Sequence, residues 1–222
     1  MQQTPIHEVP NPQLLDIMRP GYSGVVEVGS SSGAMAKAYR ESNAACHYVG
    51  IEIDPVYADS SQRYCSEVIL GNVETLDDTQ LRNLCVGAQC WVFGDALEHL
   101  YDPWKLLRRI HGFSAAGTDI VACIPNVQYW GIQSVLNSGL FLYQDAGLLD
   151  RTHIRWFTRL TMVDLFLSTG FQVQQMISRI GNLPNEGQQA AIRQMASASG
   201  HDPETALTDA LAFQYVLRAA IV

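Results

Sequence analysis

Short apolar runs alternate with amphipathic stretches of helical spacing from about residue 20 to residue 170. The apolar, β-branched runs predict six strands, at residues 24–29, 47–53, 67–70, 90–93, 118–123 and 171–180. The segments around them predict helices at residues 13–18, 34–41, 55–66, 103–111, 129–137 and 158–169. Strands separated by helices of this length indicate an α/β fold, a doubly wound and mainly parallel sheet with helices on both faces.

The last part of the chain breaks this alternation. Residues 181–210 are polar and rich in Gln, Ala and Ser, with weak helical spacing only at 186–198. The apolar run 211–222 follows and predicts a seventh strand, which we expect to insert antiparallel beside the sixth because no tightly packed crossover helix precedes it. We therefore expect a single domain over residues 1–222, with an N-terminal helical segment at 1–20 and a polar insertion at 181–210.

Composition and charge exclude several classes of partner. The chain carries 14 Lys and Arg against 22 Asp and Glu, a net charge of −8, and its longest basic cluster is Arg108-Arg109. Nucleic acid is therefore not an expected partner. No apolar run reaches the roughly 18–20 residues of a membrane span, and the polar N-terminus is unlike a signal peptide. Five cysteines without C-x-x-C spacing predict reduced thiols and a cytoplasmic location.

The first strand ends in a loop that suits a close approach of the backbone to a ligand. Gly29 and Gly33 flank three serines, Ser30, Ser31 and Ser32. The loop lacks the Gly-Lys-Ser/Thr ending of a P-loop, and Ser31 occupies the second glycine position of the dinucleotide pattern G-x-G-x-x-G. An ordinary turn of small residues between strand and helix is the alternative interpretation.

Two further strand ends carry groups suited to a nucleoside. Glu52 ends the second strand, 52 − 33 = 19 residues beyond Gly33, the spacing at which a carboxylate accepts ribose hydroxyls. Asn72 and Val73 follow the third strand, where they are placed to contact an adenine edge. A solvated charge and an ordinary turn residue are the alternatives for Glu52 and Asn72. The three strand ends together favour nucleoside binding.

These residues carry a resemblance to class I S-adenosylmethionine-dependent methyltransferases of the small-molecule branch, over roughly residues 20 to 180. The sequence is similar to ubiquinone-type enzymes and to bacterial enzymes associated with glycan synthesis. The resemblance implies a Rossmann-like seven-stranded sheet of order 3-2-1-4-5-7-6 with strand 7 antiparallel. The matching segments are Glu27-x-Gly29-x-x-x-Gly33 and residues 50–54, 71–72, 93–103, 124–126, 150–158 and 168–171.

The resemblance also implies a cofactor, S-adenosylmethionine, with S-adenosylhomocysteine as product. By that resemblance, the methionyl part would contact Glu27, Gly29, Ser30, Ser31 and Gly33. Ribose would contact Glu52, while adenine would contact Ile53, Asn72 and Val73. Asp95 and Ala96 would lie beside the sulfonium. Ser31 and Asn72 depart from the commoner Gly and Asp of the family, so we expect weaker or adjusted cofactor binding.

The candidate catalytic residues are Asp95, His99 and His153. A histidine four residues past Asp95, in the loop after the fourth strand, suits proton removal at neutral pH. His153 lies between Arg151 and Arg155 in the expected substrate lid at 127–158, where two arginines near one histidine would suit an anionic acceptor. Local packing of His99 and a structural, salt-bridged loop around His153 are the alternatives. The resemblance allows a divalent metal near Asp95, Glu98 and His99 but does not lead us to expect one.

The leading hypothesis is therefore methyl transfer to a small-molecule acceptor, a hydroxyl of a sugar or related metabolite. Methylation of a quinone-like aromatic metabolite is the alternative within the same class of enzyme. A non-catalytic protein that binds S-adenosylmethionine is a second alternative, because Ser31 and Asn72 depart from the family pattern. A nicotinamide-dependent oxidoreductase is disfavoured by the missing G-x-G-x-x-G pattern.

Overall fold

A single sheet of seven strands runs through the molecule. The computed structural model describes residues 8–222. All seven predicted strands are present, and their ends lie within two residues of the predicted ones. They are β1 (Gly24–Val28), β2 (His47–Glu52), β3 (Glu67–Leu70), β4 (Cys90–Gly94), β5 (Asp119–Pro125), β6 (Gln172–Ile180) and β7 (Ala212–Ala220).

The strand order is β3-β2-β1-β4-β5-β7-β6, as expected. Strands β1 to β5 are parallel to one another, whereas β7 pairs antiparallel with both β5 and β6. Val28, near the end of β1, pairs with Ile51 of β2 on one side and with Phe93 of β4 on the other. The carboxyl ends of these three strands therefore meet at one edge of the sheet, where open α/β folds bind their ligands.

Nine helices surround the sheet in the described part of the chain, and they include all six helices predicted between residues 13 and 169, one of them shorter than predicted. The first seven residues of the predicted 1–20 segment lie outside the described residues. The helices are α1 (Pro12–Ile17), α2 (Ala34–Ser42), α3 (Pro55–Ser61), α4 (Asp78–Gly87), α5 (Pro103–Phe113), α6 (Trp130–Asn137), α7 (Arg159–Leu167), α8 (Glu186–Ala198) and α9 (Pro203–Leu211).

Helix α3 is shorter than predicted. It begins at the expected Asp-Pro pair, where the Asp54 carboxylate accepts the N–H groups of Val56 and Tyr57. It ends at Ser61 rather than at residue 66, because the N–H groups of Tyr64 and Cys65 both donate to the Ser61 carbonyl at 3.0 Å. That turn places the Cys65 side chain in the core.

Two helices were not predicted. Helix α4 begins at a capping box in which Asp77 and Gln80 bond reciprocally, a signal that is visible in the sequence as D-x-x-Q. Helix α9 begins at Asp202, which accepts the N–H of Thr205, and it ends directly before β7. The expectation that no helix leads into the last strand is therefore wrong, and residues 181–210 fold mainly as α8 and α9.

The core lies on both faces of the sheet. On one face, Val26, Trp91 and Phe93 pack with helices α4, α5 and α7. On the other face, Val25 and Val92 pack with α1 and α2. Strand β4 is buried on both sides, which explains why residues 90–93 contain no charge.

Two expectations from the sequence concern reduced cysteines and membrane-spanning segments. All five cysteines are buried and free. Burial raises the pKa of the Cys65 thiol to about 12, so this thiol stays protonated near neutral pH. Along residues 8–222, no helix combines the length and the apolar character that a membrane crossing requires.

Candidate active site

The loop after β1 has the backbone geometry that its glycines predict. Gly29, Ser31 and Gly33 all have positive φ angles, of 77°, 48° and 78°. A side chain at Gly33 would bring its Cβ within 3.0 Å of the Ser61 Cα, so only glycine fits this turn against α3. The N–H of Gly29 donates to the Ile51 carbonyl at 2.8 Å, which fixes the loop on β2.

Ser30 contributes to packing through its side chain. The residue is buried, and its hydroxyl donates to the Ser61 hydroxyl at 3.2 Å. The Ser61 hydroxyl in turn donates to the Ala58 carbonyl within α3. The Ser30 side chain therefore connects the loop to α3, and its predicted contact with a cofactor would have to use the backbone.

Glu52, the expected ribose acceptor, is the last residue of β2. Its buried carboxylate accepts three backbone N–H groups, from Ser31 at 2.9 Å, Ile53 at 2.8 Å and Asp54 at 3.1 Å. A carboxylate has about four lone-pair positions, so it retains capacity for a ligand hydroxyl. The neighbouring Ile53 side chain is 52% exposed, an unusual exposure that leaves an apolar surface next to the carboxylate.

Glu27 is a buried carboxyl two residues before the loop. It is 4% exposed, and one of its oxygens accepts the Tyr48 hydroxyl at 3.1 Å. Burial raises the pKa of Glu27 to about 8, with the Glu52 charge acting in the same direction and the Tyr48 bond opposing it. The carboxyl is therefore mostly protonated at neutral pH, until a positive charge is brought next to it.

Hydrogen bonds connect the loop after β3 to the loop after β4. The Asn72 side-chain oxygen accepts the Glu74 N–H at 2.9 Å and so caps the short turn at residues 73–75, in which Val73 is buried. The Glu74 carboxylate accepts the N–H groups of Tyr101 and Asp102, at 2.9 and 2.7 Å. Sequence reasoning did not single out Glu74, which joins the adenine-side loop to the loop after β4.

Asp95 follows β4 in a strained backbone conformation. Its φ angle is 56°, a region that favours glycine. Its carboxylate accepts a hydrogen bond from the Gln214 side chain of β7, and Arg179 of β6 donates to that glutamine at 2.5 Å. The next residue, Ala96, is buried. Its Cβ lies 3.8 Å from the position that a Cβ would take at Gly29. Ala96 thus lies beside the first loop, and Asp95 directly precedes it in the chain.

Gln214 and Arg179 were missed, and no local signal could have found them. They lie on the two strands that are last in the chain, far in sequence from Asp95. Only the insertion of β7 between β5 and β6 brings them to the end of β4. The contact between Gln214 and Asp95 is a consequence of topology.

Three side chains converge beyond Asp95, and one ligand atom of each lies within 4.8 Å of the others: Glu98, His99 and His153. Residues 97–99 form a single 3-10 turn that is separate from α5, which begins at Pro103. Glu98 and His99 therefore do not belong to the helix that follows. The two imidazole rings meet edge to face, with their centres 4.8 Å apart.

Burial governs the charges of this cluster. It lowers the pKa of His99, and it lowers the pKa of His153 to about 4, with the neighbouring His99 adding to that shift. It raises the pKa of Glu98 well above its usual range, an effect to which the Asp95 charge adds. Both imidazoles are therefore neutral at physiological pH.

The two arginines beside His153 have partners within the protein. Arg151 pairs with Asp145 at 2.6 Å, and Arg155 donates to the Tyr101 carbonyl. This arrangement matches the structural alternative for the loop rather than a guanidinium pair aimed at an anionic acceptor.

The aromatic residues of the 127–158 region divide into separate groups. Phe141 packs on Tyr143 and on Trp156, and Trp156 also contacts the His153 ring, with ring centres 5.9 Å apart. Trp130 instead donates to the Asn182 carbonyl at 2.7 Å, while Phe157 belongs to the core. Only the first group forms an aromatic wall next to the cluster.

Fold and site together define a Rossmann-like, nucleoside-binding enzyme domain. The sequence profile of the methyltransferase domain family matches residues 13–176. The chain belongs to this family and is a class I S-adenosylmethionine-dependent methyltransferase. A comparison with curated proteins finds no match.

Solved structures share the fold. An S-adenosylmethionine-dependent methyltransferase from Archaeoglobus fulgidus superimposes with a TM-score of 0.62 at 15% identity, covering 94% of this chain and 90% of that one. One from Mesorhizobium loti gives 0.59 at 13% identity, with 94% and 96% covered. An O-methyltransferase of neocarzinostatin biosynthesis, solved with S-adenosylmethionine and a naphthoic acid, gives 0.55 at 13% identity, with 90% and 49% covered.

Proposed function

We propose that the enzyme transfers the methyl group of S-adenosylmethionine to a hydroxyl of a sugar or a related small-molecule metabolite. The observation that carries the proposal is the position of Glu98, His99 and His153. Glu98 and His99 follow β4 directly, just past Asp95, and His153 joins them from the loop before α7; Glu98 and His153 are buried and His99 is half-buried. Such a site would align donor and acceptor, which can supply roughly 7–11 kcal/mol of a bimolecular barrier.

The cofactor would lie along the ends of β1, β2 and β3. Glu27 and the backbone of Gly29, Ser30, Ser31 and Gly33 would contact the methionyl part. The remaining lone-pair capacity of Glu52 supports its role as ribose acceptor. The exposed Ile53 would pack on adenine, whose edge would face Asn72 and Val73, and Asp95 and Ala96 would flank the sulfonium.

His99 would take the acceptor proton. Its Nδ1 lies 3.1 Å from the Thr152 carbonyl. Only a protonated nitrogen donates to a carbonyl, so the lone pair is on Nε2. A neutral imidazole with a fixed tautomer is suited to general-base catalysis, which typically contributes 10²–10⁴-fold. His153 would form the far wall of the same acceptor site.

The aromatic wall favours a second candidate acceptor. Phe141 and Trp156 lie beside His153, with their ring centres 5.6 Å apart. A flat ring could pack on this wall with its hydroxyl near the histidines, because aromatic pairs attract one another in offset or edge-to-face geometry. Methylation of a quinone-like metabolite is therefore the alternative acceptor class.

The test uses the full chain with S-adenosylmethionine and two acceptor panels, nucleoside-diphosphate sugars and hydroquinones. Formation of S-adenosylhomocysteine is followed, and the methylated product is identified by mass spectrometry and NMR. We expect O-methylation in the sugar panel. O-methylation restricted to hydroquinones would favour the second candidate, and methylation found only on nitrogen or carbon acceptors would contradict the proposal.

A further inference from the structure

The cluster of Glu98, His99 and His153 is held together by the main chain. The Glu98 carbonyl accepts two N–H groups, those of Ile154 and Arg155, each at 3.0 Å. These bonds fasten the loop before α7 onto the turn at residues 97–99. The two histidines therefore meet because two backbone segments are joined, and their meeting does not depend on a flexible side-chain contact.

Both imidazoles have the orientation that metal-binding histidines adopt. The Nδ1 of His99 donates to the Thr152 carbonyl, and the Nδ1 of His153 donates to the Leu148 carbonyl, each at 3.1 Å. Each bond fixes the proton on Nδ1 and leaves a lone pair on Nε2. Metal-ligating histidines use the same outer hydrogen bond to set tautomer and ring orientation.

Glu98 supplies a carboxyl group whose two oxygens lack a hydrogen-bond partner among residues 8–222. It is 1% exposed, and within residues 8–222 neither side-chain oxygen accepts or donates a hydrogen bond. Nε2 of His153 lies 3.9 Å from one of these oxygens. A buried polar group is nearly always satisfied, so this carboxyl calls for a ligand that the protein itself does not provide.

Neighbouring side chains do not meet that need. The guanidinium groups of Arg151 and Arg155 are directed to Asp145 and to the Tyr101 carbonyl. The Asp95 carboxylate accepts hydrogen bonds from Gln214 and from the Cys123 thiol, so it is held by β7 and β5. The three convergent groups are thus two imidazoles and one carboxyl.

We propose that Glu98, His99 and His153 hold a divalent transition-metal cation, such as Zn²⁺ or Mn²⁺. Two imidazole nitrogens and one carboxylate oxygen suit these ions better than Mg²⁺ or Ca²⁺, which prefer oxygen ligands. Ligand atoms about 2.0–2.2 Å from one ion lie roughly 3–4 Å apart. The atoms here lie within 4.8 Å of one another, so side-chain movements of about 1 Å would close the site.

The cation would also have a role in the proposed methyl transfer. Only this catalytic role rests on the proposed function; the binding of the cation does not. Three protein ligands leave an open coordination position, as in catalytic metal sites. With a cation bound, the Nε2 lone pair of His99 would be engaged in coordination and could not accept a proton. The cation would instead act as a Lewis acid that lowers the pKa of the acceptor hydroxyl, and the hydroxyl proton would pass to water.

Metal binding is tested without cofactor or acceptor. The full chain is freed of metal with a chelator and titrated calorimetrically with Zn²⁺, Mn²⁺ and Mg²⁺, and bound metal is counted by elemental analysis. We expect one Zn²⁺ or Mn²⁺ per chain and no comparable Mg²⁺ binding. The same cation should raise the melting temperature, because it binds only the folded chain.

The variants are Glu98→Gln and His153→Asn, with folding checked by circular dichroism. Each should weaken binding by about 100-fold or more, since even outer-shell changes cost 10–100-fold. The matched control is His47→Ala, which removes an exposed histidine 4.0 Å from Glu67 and should leave binding unchanged.

Absence of saturable binding by the wild-type chain would overturn the inference. So would equal affinity in a folded Glu98→Gln variant. Binding of S-adenosylhomocysteine and methyl transfer are measured separately, so a failed metal site and a failed methyl-transfer proposal are told apart. Stoichiometric binding of the cation without methyl transfer would support the metal site and contradict the catalytic role of the cation.

Discussion

The loops that follow β1, β2 and β3, here the cofactor half, differ in construction from the loops at residues 97–101 and 127–158, the acceptor half. In the cofactor half, one carboxylate, Glu52, binds the N–H groups of Ser31, Ile53 and Asp54. In the acceptor half, His99 and His153 come from distant segments that the Glu98 carbonyl joins. One half is a set of strand ends in register, and the other is an assembly of long-range contacts.

This difference indicates that the two halves can be perturbed separately. The proposed cofactor contacts rest on the backbone geometry of parallel strands, which is common to the fold. The proposed acceptor contacts rest on a few side chains in loops, where enzymes of one fold diverge in chemistry. Variants in one half should therefore leave the function of the other nearly intact.

The largest expected effect is on turnover, in the acceptor half. His99→Ala should lower kcat by about 10²–10⁴-fold, because the acceptor proton loses its base or the proposed cation loses a ligand. Rates of S-adenosylhomocysteine formation measure it, with His47→Ala as the control. If a base is lost, the defect should shrink for acceptors that are already ionised. A His99→Ala variant with a wild-type rate would remove this residue from the site.

The next effect is on cofactor affinity, in the cofactor half. A charge-assisted contact of about 1.5–3 kcal/mol with the ribose predicts that Glu52→Ala weakens binding by roughly 10- to 150-fold. Calorimetry with S-adenosylhomocysteine measures it. The control is Glu67→Ala, an exposed glutamate at the start of β3, away from the cofactor edge. Unchanged affinity in Glu52→Ala would exclude the ribose assignment.

A smaller effect is a pH dependence within the cofactor half. The pKa of Glu27 is raised to about 8, so below that pH a cationic methionyl group must displace a proton. Cofactor affinity should rise about fivefold from pH 7 to 8 and level off above. Glu27→Gln should abolish this proton linkage, which is measured by calorimetry in buffers of different ionisation enthalpy. An equal slope in the variant would separate Glu27 from the cofactor.

The same carboxyl predicts a change in stability. Its pKa in the folded chain lies above the unfolded value near 4.3–4.5, so its stabilising contribution is present at low pH and lost as pH rises through about 8. Glu27→Gln should therefore raise Tm more at pH 8 than at pH 5. Thermal denaturation at the two pH values measures the difference.

The smallest effect concerns the departure from the family pattern at Ser31. Ser31 has a φ of 48°, a backbone conformation that is strained for serine and relaxed for glycine. The hydrogen bond from the Ser31 N–H to Glu52 does not involve the serine side chain. Ser31→Gly should therefore raise Tm slightly and change affinity for S-adenosylhomocysteine by less than about fivefold. A gain well beyond that range would show that the serine itself obstructs the cofactor.

The fold and the cofactor half were largely predictable from sequence, because their signals are local. Apolar runs mark the strands, and the spacing of Gly33 and Glu52 places both at one sheet edge. Helix α4 had a local signal as well, its Asp77 and Gln80 capping box, which was overlooked. The strand order came from the resemblance, since alternation alone does not fix it.

The acceptor half could not be predicted in the same way. The hydrogen bond between Gln214 and Asp95, which lies between the two halves, exists because β7 inserts next to β5. The carboxyl of Glu98, whose oxygens lack a hydrogen-bond partner among residues 8–222, can be recognised only when its surroundings are packed. His99 and His153 were each singled out, but their pairing requires the backbone bonds of Glu98. Side-chain contacts between segments far apart in sequence produce no local pattern of residue types, so they cannot be predicted from residue spacing.

The independence of the two halves is tested most directly by titrating S-adenosylhomocysteine into metal-free His99→Ala. Because His99 is assigned to the acceptor and its nearest polar contact is the Thr152 carbonyl, we expect the dissociation constant to stay within about threefold of wild type. A loss comparable to that of Glu52→Ala would contradict the account, since it would place His99 in the cofactor site and merge the two halves into one.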